Sequence, residues 1–278
     1  MKTIMAATDL SHRSALGLLR AAALAKATDA QLRVVHAIDN DLPAPVLERR
    51  VAEAEERLAA ETAGLALPEL RREVVVGDVF WALHRAATAA HADLIVTGDH
   101  RRSRLRDIFQ DTTVERLIRV SAVPVLIART DVAEAHRHAV VGVESAEGPE
   151  LLEVLARLGR AAPARATILH AVATPGTGLM YYAGVAVETI EEHRHAAAVN
   201  ARSRLAAGLT DSAIPLSIEI VDAAPAAAIA AFAAQREGDL IVVSSHARRG
   251  LVRGMIGSVS GELIRHGLTD LLIVPRLG

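Results

Sequence analysis

The sequence predicts two copies of a doubly wound α/β domain, each built on a parallel sheet, and three observations carry that prediction. Short β-branched runs alternate with alanine-rich amphipathic stretches, as strand–helix–strand crossovers require. Each half of the chain holds five such strand segments with helical stretches between them. The halves also repeat: Asp93-Leu94-Ile95-Val96 returns as Asp239-Leu240-Ile241-Val242, an offset of 146. That offset pairs His100 with His246, Leu105 with Leu251, Thr112 with Ser258, and Leu117-Ile118-Arg119 with Leu263-Ile264-Arg265 without a gap. A fixed offset with matched chemistry is an internal duplication.

In the first half, strands are expected over 3–8, 32–38, 73–76, 94–97 and 123–128, with helices over 13–28, 45–63, 80–90 and 112–120. The second half repeats the pattern, with strands over 139–143, 167–172, 217–221, 240–244 and 271–275. A short polar linker, 130–137, separates a first domain of 1–130 from a second of 137–278. The repeat slips once. Asp9 pairs with Glu144 at an offset of 135 and His36 with His170 at 134, so the second half carries about a dozen extra residues within 174–211. They include Pro175-Gly176-Thr177-Gly178, Tyr181-Tyr182, His193 and His195. Such an insert reads as a longer helix with a surface loop, or as a lid.

Bulk composition narrows the function. At 278 residues the chain can bury two ordinary cores. Hydrophobic residues make up 51%, charged residues 23%, and the formal net charge is −2, which gives no electrostatic footprint for nucleic acid. Aromatics at 2% leave no stacking platform for single-stranded bases. Cysteine is absent, so disulfides, thiolate metal sites and thiol catalysis are excluded together. No stretch approaches the ~18 uninterrupted apolar residues of a membrane span, and the chain is expected to be cytoplasmic.

In an open α/β sheet the ligand sits beyond the carboxyl ends of the strands, where strand order reverses. Two segments of each half should meet there, the end of strand one and the loop after strand four. In the second half that loop runs from Ser244 to Ser258, with small residues at Ser244, Ala247, Gly250, Gly254 and Gly257. Small residues let backbone approach a phosphate closely. Ser258 then opens a helix, whose N–H groups and dipole favour an anion. Its hydroxyl can equally serve as a plain N-cap.

These residues resemble the universal stress protein family. The resemblance rests on the aspartate ending strand one in Ala7-Thr8-Asp9-Leu10-Ser11, the Gly/Ser-rich loop after an Asp-Leu-Ile-Val strand, and the helix start Gly257-Ser258-Val259-Ser260. It covers nearly the whole chain as a tandem pair. It implies two flavodoxin-like or Rossmann-like domains of the adenine nucleotide alpha hydrolase-like type, each with a five-stranded parallel sheet of order 3-2-1-4-5. It also implies that the last strands, 123–128 and 271–275, pair the halves as a pseudo-dimer, because single-domain relatives dimerise through that strand. An uncovered apolar edge would otherwise invite aggregation.

Nucleotide-binding members of the family carry Gly-x-x-Gly, nine residues, then Gly-Ser or Gly-Thr, and neither half keeps the whole motif. The first half has Asp9 and Gly98, but Arg101 replaces the second glycine and Asp111-Thr112 replaces Gly-Ser. An aspartate at a helix start repels a phosphate placed there. The second half keeps Gly257-Ser258, with Ser244 and Ala247 for the earlier glycines and Glu144 for the strand-one aspartate. By resemblance, Ala171 after His170 supplies backbone contacts to an adenine, with Ala37 its first-half counterpart. The expected ligand is ATP or AMP, with or without magnesium, chiefly in the second half at Glu144, Ala171, Ser244, His246, Ala247, Gly257 and Ser258. The first-half set is Asp9, Ala37, Gly98, Arg101 and Thr112.

Histidine is common, twelve in all, yet no pair has the i, i+4 spacing with a carboxylate that marks a helical zinc site. His36 and His170 fall at the same place in both copies, which favours a shared hydrogen bond near the sheet edge over a ligand role. There is no Gly-x-Ser-x-Gly elbow and no Walker-type lysine. The reading is therefore a stress-response protein that binds an adenine nucleotide and signals by occupancy to an unknown protein partner, with a homodimer of the whole chain left open. Its rivals are a nucleotide-free interaction module with degenerate pockets and a weak ATPase.

Overall fold

The computed structural model describes residues 1–99, 112–131, 135–144, 147–171, 177–209, 212–245 and 256–276. The first half runs β1 (Thr3–Thr8), α1 (Ser14–Thr28), β2 (Gln31–Ile38), α2 (Ala44–Thr62), β3 (Leu70–Val76), α3 (Val79–Ala89), β4 (Leu94–Gly98), α4 (Thr113–Val120) and β5 (Val125–Ala128). The second half runs β6 (His138–Gly142), α5 (Gly148–Ala156), β7 (Arg165–Ala171), α6 (Thr177–Tyr182), α7 (Val187–Ala207), β8 (Leu216–Val221), α8 (Pro225–Gln235), β9 (Leu240–Ser244), α9 (Ser258–His266) and β10 (Asp270–Val274).

All ten strands form one sheet of order β3-β2-β1-β4-β5-β10-β9-β6-β7-β8. Each half therefore has the expected 3-2-1-4-5 order, and the expected pairing of last strands joins them. That seam is the one antiparallel pair between these strands, with Leu271 opposite Ile127, Leu272 opposite Leu126 and Ile273 opposite Val125. The carboxyl edge of one half thus lies beside the amino edge of the other.

Successive side chains of a strand point to opposite faces, so the sheet has two apolar faces. Ile4, Leu32, Leu94, Leu126 and Leu272 pack on one face with α1, α2, α5 and α7, through residues such as Leu18, Leu58, Leu151 and Leu205. Met5, Val35, Ile95, Ile127, Leu271 and Ile273 pack on the other face with α3, α4, α8 and α9, through Leu83, Leu117, Ile229 and Leu263. Both cores run across the seam.

The repeated Asp-Leu-Ile-Val has a structural cause. Asp93 accepts the N–H groups of Lys2 (2.6 Å) and Thr3 (3.0 Å), and Asp239 those of Arg137 (2.8 Å) and His138 (2.9 Å). Each aspartate ties the start of its half's first strand to the start of the fourth. Partial burial raises the Asp93 pKa, but the Lys2 and Thr3 N–H groups outweigh that and hold it low.

One expectation needs correction. The third strand begins at Leu70 rather than at 73, because Arg71 and Arg72 lie on an edge strand that tolerates exposed charge. The second-half insert follows the longer-helix reading, folding as α6 and a 21-residue α7 that packs on β8. No helix among the described residues is long and apolar enough to cross a membrane.

Candidate functional site

Each half has a cavity beyond the carboxyl ends of its first two strands. The first, about 580 Å³, is lined by Asp9, Leu10, His36, Ala37, by Asp39 and Asp41 in the loop after β2, and by Arg50, Glu53 and Arg57 of α2. The second, about 310 Å³, is lined by Glu144, His170, the α5 start at Gly148-Pro149, and Ala201, Arg204 and Leu205 of α7. The chemistry repeats: a strand-one carboxylate, a strand-two histidine and a helix arginine stand at each. Arg57 and Arg204 were missed from sequence, although Ala54-x-x-Arg57-Leu58 returns as Ala201-x-x-Arg204-Leu205.

The histidines are fixed alike. His36 Nδ1–H donates to the Thr8 carbonyl at 2.8 Å, and His170 Nδ1–H to the Val143 carbonyl at 2.8 Å. Donation to a carbonyl sets the tautomer and leaves Nε2 the acceptor of the neutral ring. The expected shared hydrogen bond is present in both halves.

The carboxylates are held differently. Asp9 accepts the Ser11 N–H at 3.0 Å. Desolvation pushes its pKa up, but the hydroxyls of Ser11 and Ser14 and the Ser11 N–H outweigh it, so Asp9 stays ionised below the usual range. The turn behind it places Leu10 at φ 58°, a left-handed conformation that costs a bulky residue about 1 kcal/mol or more. Two bonds stabilise it: the Leu10 N–H donates to Thr8 Oγ1 at 3.0 Å, and Arg57 donates to the Leu10 carbonyl at 2.6 Å. In the second half the Glu144 N–H donates to the buried Glu147 carboxylate at 2.6 Å.

Beyond β4 and β9 lie the helix starts of α4 and α9, where the sequence leads one to expect an anion. In the first half, Thr112 is the N-cap of α4 and forms a complete capping box with Glu115. The Thr112 hydroxyl accepts the Glu115 N–H at 3.2 Å, while the Glu115 carboxylate accepts the Thr112 N–H at 2.9 Å. A buried carboxylate thus occupies the anion position of this helix. Sequence reasoning missed Glu115, although Thr-x-x-Glu before an apolar run is a legible capping signature.

The second half differs at the same place. Gly257 is the N-cap of α9, Ser258 is its first helical residue, and no side chain caps it among the described residues. The plain N-cap reading of the Ser258 hydroxyl is thereby corrected: Ser258 sits one position too far along. The offset of 146 puts Gly261 where the first half has Glu115. The first turn has no acidic residue and leaves the amides of Ser258, Val259 and Ser260 without an intrahelical acceptor. The helix start is anchored to β9, since the Gly257 N–H donates to the Ser245 carbonyl at 2.8 Å and the buried Ser260 hydroxyl to the same carbonyl at 3.2 Å.

The remaining sequence candidates fall as follows. Ala37 lines the first cavity, whereas Ala171 ends β7 without lining the second. Ser244 ends β9. Gly98 ends β4, and its smallness answers to packing: a Cβ there would lie 2.5 Å from the Arg13 carbonyl oxygen and 2.7 Å from the Ser14 Cα. The close approach expected toward a phosphate is, at Gly98, an approach of α1 to β4. Arg101, His246 and Ala247 lie outside the described residues. Among the described residues no group of three His, Asp or Glu could hold a metal ion.

A family model described as "Universal stress protein family" matches residues 1–129 and again 135–275. Among solved structures, the chain is similar to a universal stress protein from Archaeoglobus fulgidus, with a TM-score of 0.67 at 17% identity over 99% of this chain and 98% of that one. It is also similar to a functionally unknown protein from Pseudomonas aeruginosa PAO1, with a TM-score of 0.63 at 16% identity over 99% of this chain and 92% of that one. These likenesses are of fold. No curated protein matches the chain.

Proposed function

The chain belongs to the universal stress protein family, and we propose that it binds one adenine nucleotide, ATP or AMP, in its second half and acts by occupancy rather than by chemistry. The observation that carries this reading is the contrast between helix starts: α4 is closed by the Glu115 carboxylate, while α9 presents first-turn amides, Gly257 at its cap and Gly261 in place of the acid. Such a start favours an anion through its N–H groups and dipole.

Glu144 at the neighbouring cavity supplies an acceptor for a ribose or adenine edge, and Arg204 adds a cation. Ser244, Ala171, His246, Ala247, Gly257 and Ser258 complete the proposed set. The first half, with Asp9, Ala37, Gly98, Arg101 and Thr112, is the weaker site for any phosphorylated ligand. Domains of 1–130 and 137–278 hold one site each. The reading assigns no catalytic residue, and the partner that senses occupancy is a protein rather than nucleic acid or membrane.

Native mass spectrometry of freshly purified protein, followed by titration with ATP and AMP with and without magnesium, tests this. One nucleotide per chain, lost in Gly257→Asp, is the expected result. Two per chain would overturn the assignment of the first half. None at millimolar ATP would leave a nucleotide-free interaction module.

A further inference from the structure

Residues at the seam break the two-fold relation between the halves. The offset of 146 pairs Arg129 with Pro275, Asp99 with Ser245, and Pro124 with Asp270. Arg129 leaves the end of β5 and reaches into the second half. Its guanidinium donates from Nη1 to the carbonyls of Leu263 (3.1 Å) and Thr269 (3.3 Å), and from Nη2 to that of Ile264 (2.6 Å). Nε donates to the Asp99 carboxylate at 3.4 Å, directly after β4 of its own half.

Two of these acceptors, the Leu263 and Ile264 carbonyls, lie at the carboxyl end of α9, where a cation meets the negative end of the helix dipole and satisfies its last carbonyls, and the third, Thr269, lies just before β10. The side chain is only 4% exposed, so this charge is little screened. Room for it depends on Gly267, where a Cβ would lie 2.4 Å from Arg129 Nη1. Pro275 can furnish no such strut to α4.

At nine residues, α9 is too short to be stable alone, and its position is set by what holds its ends. Its amino end is tied to Ser245 of its own half, and its carboxyl end to Arg129 of the other. We infer that Arg129 is a positioning residue for the anion-binding start of α9, which couples the second-half site to the Asp99 edge of the first half. This inference rests on the reading of α9 given above. Asp99 stands at the carboxyl edge of the first half's sheet, so a change there reaches α9 through one guanidinium. Arg129 touches no ligand; it acts by holding a helix whose far end does.

The experiment pairs AMP titration calorimetry with amide hydrogen exchange over residues 258–261, on the full chain, for Arg129→Met, Arg129→Lys, Asp99→Asn and Thr130→Val. Thr130→Val removes the hydroxyl that donates to Asp270 and accepts from Arg20 at the same seam, without touching α9. For Arg129→Met, affinity should fall about tenfold and exchange should quicken about tenfold, within the usual range of long-range coupling. Lysine, which keeps the charge but not the fork, should recover part of both. Asp99→Asn should shift both about threefold and keeps the test open if Arg129→Met does not fold. Thr130→Val should lower thermal stability while both readouts stay within about twofold of the unmutated protein. Unchanged readouts in the Arg129 and Asp99 variants, or equal changes in Thr130→Val, would overturn the inference. If the unmutated chain binds no AMP, the function proposed above fails, and the exchange arm alone decides whether Arg129 positions α9.

Discussion

The two halves place the same helix at the same corner of the same sheet and then finish its first turn differently. At α4, Thr112 and Glu115 satisfy each other's backbone, so the helix brings its own anion. At α9, Gly257 and Gly261 supply neither cap nor charge, and the start is fixed instead by the Ser245 carbonyl. Duplication preserved the architecture in both copies while one residue pair, Glu115 and Gly261, separated a closed helix start from an open one. The seam is lopsided too: Asp270 and Arg129 have Pro124 and Pro275 as counterparts, so the electrostatic clamps are built from one copy of each pair.

The largest effect should come from breaking that lopsided seam. Asp270 is fully buried, with Arg20 Nε at 3.0 Å, His136 Nε2 at 2.9 Å, and the N–H groups of Arg129 and Thr130 at 2.8 and 3.0 Å. Removing one partner of a buried pair leaves the other charge uncompensated, so Asp270→Asn should cost about 3–5 kcal/mol in chemical denaturation. Desolvation pushes the Asp270 pKa up, but the His136 hydrogen bond, the Arg129 N–H and the Arg20 charge outweigh it and hold it low. A carboxylate with a lowered folded-state pKa stabilises the protein above its unfolded value of ~3.9, and that contribution is lost as pH falls below it. The unmutated protein should therefore lose stability faster than Asp270→Asn as pH drops from about 5 toward 3. A substitution costing under 1 kcal/mol, or the same acid profile in both proteins, would show that the seam is held by its apolar pairs alone.

Next in size is the import of the first half's chemistry into the second. Gly261→Glu places a carboxylate in the first turn of α9, where the added Cβ would meet the side chains of Arg265, at 3.3 Å, and Ile256, at 3.7 Å. Like charge against a bound phosphate costs several kcal/mol, so nucleotide affinity should fall on the order of a hundredfold. Thermal stability should hold or rise slightly, since an acid suits a helix start. Undiminished affinity would place the phosphates away from α9.

The sequence was most legible where periodicity and repetition carried information. β1 and β9 fall at the expected residues, since β-branched runs separated by amphipathic helices mark the elements, whereas the strand order was implied by the resemblance alone. The positions of Asp9 and Glu144 at the cavities were also legible, since a residue ending strand one must lie at the carboxyl edge. Side-chain partnership was not. Glu115 reads as one acid among thirty-three Asp and Glu until its bond to the Thr112 N–H is seen. Gly98 reads as a ligand-loop glycine, yet what constrains it is the start of α1, about eighty residues earlier in the chain, whose Gly17 also packs against Thr97. Contacts of that separation leave no periodic trace.

The glycine distinction gives the third prediction. Gly98→Ala should destabilise the first half by about 1–3 kcal/mol, because main-chain atoms of Arg13 and Ser14 must move. Ser244 already carries a Cβ at the matching position, so Ser244→Ala should stay within about 0.5–1.5 kcal/mol, the worth of one hydrogen bond. Equal costs in thermal melts would mean that α1 and α5 approach the sheet alike.

The smallest effect is the most discriminating, because it asks whether charge alone closes the first half. Glu115→Gln keeps a side chain able to complete a capping box while removing the carboxylate. The loss of stability should be about 0.5–1 kcal/mol, from the weaker dipole interaction and the lost Arg265 contact at 3.7 Å. If the anion at α4 is what excludes phosphate, a second and weaker nucleotide should then appear in native mass spectra. If Gln leaves the stoichiometry at one while Glu115→Gly raises it to two, the box itself, rather than its charge, is what occupies the helix start. If neither variant admits a second nucleotide, the first half is closed elsewhere: Arg50 and Arg57 at its cavity are outnumbered by Asp9, Asp39, Asp41 and Glu53, a balance that disfavours an anion before it reaches the helix.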